Sequence, residues 1–173
     1  MSDLDELNRS PADDLRPRLL ALTAAPDWAE ALLARRPYAD LDTLLDISDE
    51  LVTGLPESQI DAALGGHPRI GERAADSDAD SAARSAREQA GMARADASVQ
   101  GAMARGNSDY EARFGRIYLV AAAGRSAEDL LGYLHERLDN DPGVELDVVR
   151  GELARITRLR LSELVGPTEK GGP

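Results

Sequence analysis

The chain has 173 residues and carries 20 Lys and Arg against 32 Asp and Glu, a formal net charge of -12 that repels nucleic-acid phosphates and leaves any anionic small molecule to a local cation. Hydrophobic residues make up 42% of it but aromatic ones only 3%, so the core must be built from Leu, Ala, Val and Ile, a composition that favours helices. Cysteine is absent, which excludes disulfides, thiolate nucleophiles and thiolate metal sites.

Along the chain, Ser10-Pro11-Ala12-Asp13 has the form of a helix start, with a capping serine and proline at the first helical position, and Leu15, Leu19 and Leu22 follow at helical spacing. A second short stripe, Trp28, Ala31 and Leu32, ends at Arg36, because Pro37 disfavours helical geometry in the residue before it. Leu41, Leu44, Leu45, Leu51 and Val52 predict a third helix closed by Gly54. Pro56 opens a fourth with Ile60, Ala63 and Leu64, which Gly65-Gly66 breaks immediately before His67. Residues 72–84 are small and polar and predict an exposed connection, with the next helix beginning near Ser81 to Ser85. That helix carries Met92, Val99 and Met103 on one face and is expected to stop at Gly106-Asn107. Ser108-Asp109-Tyr110-Glu111 reads as a capping box for a short helix ending at Gly115. Residues 118–123 are apolar without helical periodicity and predict an extended or early-helical buried segment. Ser126 opens a helix with Leu130, Leu131, Leu134 and Leu138 inward, and a long last helix runs from Pro142.

The pattern as a whole predicts an all-α, compact single-domain bundle of about seven or eight helices over residues 1–165, followed by a disordered tail over 166–173. The acidic Met-Ser-Asp-Leu start has no secretory pattern, and no apolar run approaches the ~18 residues of a membrane span. A cytoplasmic protein without membrane or nucleic-acid partners is expected.

Two histidines can be weighed as acid or base, the role imidazole fills best at neutral pH. His135 sits on a helix flank and reads as a surface residue. His67 follows two glycines and precedes Pro68, at a chain reversal where its side chain can project into a pocket; a helix-terminal histidine bonded to a carbonyl is the alternative. Ser85, Glu88 and Met92 share a helical face, yet Ser85-x-x-Glu88 taken alone is merely a capping box. Arg160 continues the apolar stripe of Leu146, Val149, Leu153 and Ile156, so its guanidinium must snorkel to water or meet a buried acid or an anionic ligand. Asp76-x-Asp78-x-Asp80 lacks the glycine and glutamate of a calcium loop. Without cysteine or a second well-placed histidine a transition-metal ligand set is missing, and no phosphate-binding glycine loop is present.

Four motifs appear in order: His67-Pro68-Arg69-Ile70-Gly71, Ser85-x-x-Glu88-Gln89, Asn107-x-x-Tyr110-x-x-x-Phe114-Gly115 and Ile156-x-x-Leu159-Arg160-Leu161. With Leu7-Asn8, Trp28-Ala29 and Arg36-Pro37-Tyr38 before them, the chain resembles the OHCU decarboxylase family, whose substrate is 2-oxo-4-hydroxy-4-carboxy-5-ureidoimidazoline. Two departures are the missing Trp shortly before His67 and Arg116 where an aromatic residue is usual. The resemblance implies an all-helical, cofactor-free, metal-free and usually homodimeric enzyme of urate degradation that forms (S)-allantoin. It implies further that His67 is the catalytic acid/base with Glu88 beside it, and that Pro68, Ser85, Gln89, the backbone of Leu119, Val120 and Ala121, and Arg160 line the substrate. An acidic, non-enzymatic helical interaction module and a related lyase for another ureido acid are the competing readings. Convergence of His67, Glu88 and Arg160 on one enclosed pocket would favour an enzyme over a module.

Overall fold

Ten α-helices and no strand occur among the described residues, 3–72 and 79–166, of the computed structural model. Residues 73–78 of the expected connection and 167–173 of the expected tail lie outside those residues, while 79–84 are helical: the helix expected to begin near Ser81 to Ser85 starts at Ala79. The all-α expectation holds, and the count of seven or eight is corrected to ten. Three predicted helices recur almost unchanged as α4 (Leu41–Thr53), α5 (Glu57–Leu64) and α9 (Ala127–Leu138). Their ends carry local signals: the Thr43 N–H donates to Asp40 at 2.7 Å, Gly54 stands at the C-cap of α4, and the Asp129 N–H donates to Ser126 at 3.1 Å. The first predicted helix is α2 (Ala12–Leu20), with Pro11 rather than Ser10 at its cap; α3 (Pro26–Ala34) and α10 (Pro142–Val165) both begin on a proline.

The extra helices have physical causes. Among them, α1 (Asp3–Arg9) is too short to show a period. The alanine-rich stretch is three helices, α6 (Ala79–Glu88), α7 (Ala90–Ala93) and α8 (Ala97–Phe114), with Asp96 capping α8 through the Ser98 and Val99 N–H groups at 3.0 Å each. Helix α8 does not stop at Gly106-Asn107. A Cβ on Gly106 would lie 2.3 Å from Leu134 Cδ2, so this glycine permits close packing of α8 on α9 instead of ending a helix. Ser108 likewise caps nothing: its hydroxyl donates back to the Ala104 carbonyl at 3.2 Å within the helix.

Two apolar clusters form the core. One gathers α1 to α5 around α10 and includes Trp28, whose indole N–H donates to Ser48 Oγ at 3.0 Å. The other joins Ile70, Met92 and Met103 to Tyr110, Leu130 and Leu134. Between them runs the extended segment 117–122. Leu119, with Ile117 and Ala121 beside it, packs on the first cluster, whereas Tyr118, Val120 and Ala122 belong to the second. That alternation is the period of two of an extended chain. Because both faces are buried, no polar residue interrupts the run. We call this segment the strap.

Candidate active site

His67 lies on the turn after α5. Its backbone N–H donates to the Leu64 carbonyl at 3.0 Å, closing the turn opened by Gly65-Gly66. The imidazole itself has no hydrogen-bond partner among the described residues. This turn is held from three sides. Gln89 accepts from the Gly71 N–H at 2.9 Å and donates to the Arg69 carbonyl at 3.4 Å. Asn107, buried in α8, donates to the Ile70 carbonyl at 3.0 Å. Arg69 forks onto Glu111, with its second contact at 3.0 Å. Gly71 has φ +90°, a left-handed geometry suited to glycine, which lets the chain leave the turn. Arg116, where an aromatic residue was expected, ties the end of α8 to α5 through Asp61 at 2.9 Å and through Glu57.

Helix α6 contributes the opposite wall. Ser85 and Glu88 are one turn apart and both line the cleft with His67 and Pro68, and Gln89 follows where α6 ends. Glu88 receives a bidentate pair from Arg160, Nε and Nη2 each donating at 2.8 Å, while Nη1 donates to the Leu22 carbonyl at 2.9 Å. Arg160 therefore neither snorkels nor stands among the lining residues. It is buried one layer behind Glu88, with every nitrogen engaged. Glu88 in turn is bound to Arg160, with no described hydrogen bond to His67.

The strap forms the third wall, where residues 118–123 line the cleft. It is fixed on either side of Val120: the Leu119 carbonyl accepts from Arg137 at 2.6 Å, and the Ala121 N–H donates to Glu152 at 2.7 Å. Between these anchors the peptide groups of Val120 have no partner among the described residues and are free to bond a ligand. Arg137 is itself held by buried Glu145 at 2.6 Å, which also accepts from Tyr110 Oη and from Asn140 at 2.9 Å. Helix α10 completes the cleft with Arg155, Ile156 and Leu159. The sequence reading missed Arg155; its only signal is a position one helical turn before Leu159, facing the same way.

The cleft encloses only about 40 Å3, less than the ~300–1,000 Å3 of small-molecule sites, so a ligand would lie partly in its open mouth. Burial pushes the His67 pKa down, and the neighbouring positive charge of Arg160 adds to this, leaving it at about 3 instead of 6.5. His67 is thus neutral at physiological pH. Surface-exposed His135 lies on α9, away from this cleft, as its flank position suggested. Among the described residues no three His, Asp or Glu side chains converge as a metal site.

Residues 8–162 match the OHCU decarboxylase family. A 2-oxo-4-hydroxy-4-carboxy-5-ureidoimidazoline decarboxylase of Amia calva is 30% identical over 141 residues, covering 81% of this chain and 81% of that protein. The uric acid degradation bifunctional protein TTL of Arabidopsis thaliana is 36% identical over 110 residues, covering 62% of this chain. The chain spans about a third of that longer protein's length, 34%. In fold it is similar to an OHCU decarboxylase crystallised in the presence of (S)-allantoin, with a TM-score of 0.72 and 22% identity over 86% of this chain and 96% of that one. From α1 to the last turns of α10, then, the sequence carries one continuous signature, and the chain belongs to the OHCU decarboxylase family.

Proposed function

We propose that the chain decarboxylates 2-oxo-4-hydroxy-4-carboxy-5-ureidoimidazoline to (S)-allantoin in urate degradation, with His67 moving the proton and Glu88 beside it. The observation that carries this reading is convergence: His67, Pro68, Ser85, Glu88, Gln89 and the strap, more than fifty residues apart at the extremes, line one cleft.

The substrate carries its own electron sink, since the carbon bearing the carboxylate also bears a hydroxyl and adjoins a ring C=N. When the bond to carbon dioxide breaks, its electron pair enters that C=N and the ring nitrogen takes a proton from solvent. Neutral His67 accepts the hydroxyl proton as that oxygen becomes a carbonyl, and returns it to the neighbouring ring carbon. An imidazolium in this setting is a strong acid, so the proton is passed on quickly. Delivery from one wall of the cleft fixes the configuration of the product.

Glu88, immobilised by Arg160, steadies the imidazolium while it exists, and the free peptide groups of Val120 bond the planar amides of the substrate. Gln89 acts first on the turn that carries His67, and Ser85 bonds the ureido group. Arg160 serves through Glu88. A homodimer in the cytoplasm accords with the family and with the lack of cysteine; sedimentation of the purified chain tests the dimer. The activity is tested by generating the substrate in situ from urate and following circular dichroism. Accelerated formation of (S)-allantoin is expected; racemic product at the spontaneous rate would reject the reading.

A further inference from the structure

We infer that Arg155 is the specificity-determining residue for an anionic substrate, its guanidinium taking the substrate's carboxylate at the mouth of the cleft. The inference deepens the decarboxylase reading and rests on it. The overall charge of -12 opposes the approach of any anion, so recognition has to be local. Within the cleft His67 is neutral. Arg160, whose side chain is 7% exposed, is already spent on Glu88 and the Leu22 carbonyl, and Glu88 presents negative charge to the ligand.

Arg155 is the one Arg or Lys among the described lining residues. Its side chain is 60% exposed and bonded only through Nη1, to Glu152 at 2.6 Å. The other guanidinium N–H groups have no partner among the described residues, which leaves an edge free to fork onto a carboxylate. Glu152 is built to aim it. This acid is 1% exposed on its side chain, and its second oxygen receives the Ala121 N–H at 2.7 Å. One carboxylate thus fixes both the strap and the cation facing it across the cleft, so less ordering remains to be done when substrate arrives.

Charge movement decides which kinetic constant Arg155 controls. During decarboxylation negative charge leaves the carboxylate for the ring, so a cation gripping the carboxylate gains nothing in the transition state over the bound state. Its interaction favours the bound substrate at least as much as the transition state, so its loss raises KM and does not lower kcat.

The experiment compares the unaltered chain with R155Q and R155K, on substrate generated freshly from urate, and measures inhibition by neutral (S)-allantoin in each. R155Q is expected to raise KM about tenfold with kcat within about threefold, and R155K to keep KM within about threefold of the parent. Allantoin, which has no carboxylate, should inhibit all three equally to within about twofold. An unchanged KM in R155Q overturns the proposal, as does a fall in kcat at constant KM. Inhibition by allantoin that weakens in step with KM also overturns it, by showing that the substitution disturbs the cleft as a whole. If the unaltered chain yields racemic allantoin at the spontaneous rate, the decarboxylase reading falls and this proposal with it; an active parent with an indifferent R155Q removes Arg155 alone.

Discussion

Replacing His67 by Asn tests two consequences of its burial at once. The native pKa of about 3 lies below the ordinary 6.5, so below pH 6.5 the unfolded chain binds a proton that the native chain refuses. Stability is therefore complete above about pH 6.5 and falls as the pH drops towards 3. Linkage puts the loss from this one group at ~2 kcal/mol by pH 5, a figure that any native value below ~4 would give equally. The variant lacks the group, while all other titrations are shared and cancel. Urea melts of both proteins at pH 7 and pH 5 should thus show the parent losing ~2 kcal/mol more than H67N, a change of ~1 M in the difference between their midpoints. H67N should be folded but without turnover at either pH. Equal losses of stability in the two proteins would refute an imidazole held neutral by its surroundings. So would a fall in the parent's kcat/KM centred near pH 6.5.

Glu88→Gln leaves Arg160 buried without its counter-charge and should cost ~3 kcal/mol in urea melts, with turnover reduced at least ~100-fold. Replacing both partners by Met should recover most of that stability and none of the turnover, because an apolar pair removes the unpaired charge but not the need for a carboxylate. Gly71→Ala should cost ~1–2 kcal/mol, from backbone strain at φ +90° and not from crowding, since the added Cβ meets nothing closer than Met92 Cγ at 3.6 Å; activity should fall with it as the His67 turn shifts. Excess chelator should leave turnover unchanged, as expected from the lack of a convergent ligand set among the described residues.

Helices were legible where both ends carried local signals, as in α4, where Asp40 opens and Gly54 closes the element. They were illegible where a residue's job is tertiary. Gly106 and Asn107 look like a helix end, yet the glycine admits Leu134 and the asparagine holds the Ile70 carbonyl 37 residues away. Neither partner can be named from spacing. In the site, the loop position of His67 and the shared face of Ser85 and Glu88 could be read directly. The anchoring of the strap by Arg137 and Glu152 could not, because it depends on the tertiary fold bringing both α9 and α10 to the strap. Arg155 was invisible for a similar reason: an exposed arginine on a helix of mixed charge has no distinguishing pattern until the cleft beside it is seen.

Arg160 shows how a misfit in periodicity becomes chemistry. A cation on an apolar stripe had two outcomes in sequence, water or a buried partner, and the structure gives the partner, Glu88, from 72 residues earlier in the chain. A buried ion pair adds little to stability compared with apolar side chains of the same volume, so its value here lies in what it fixes. Held at both oxygens, Glu88 stays at one place in the cleft that His67 also lines, while the positive charge behind it helps to keep the imidazole unprotonated. A proton taken up in such a setting is held weakly, which suits a reaction in which it must next be placed on carbon.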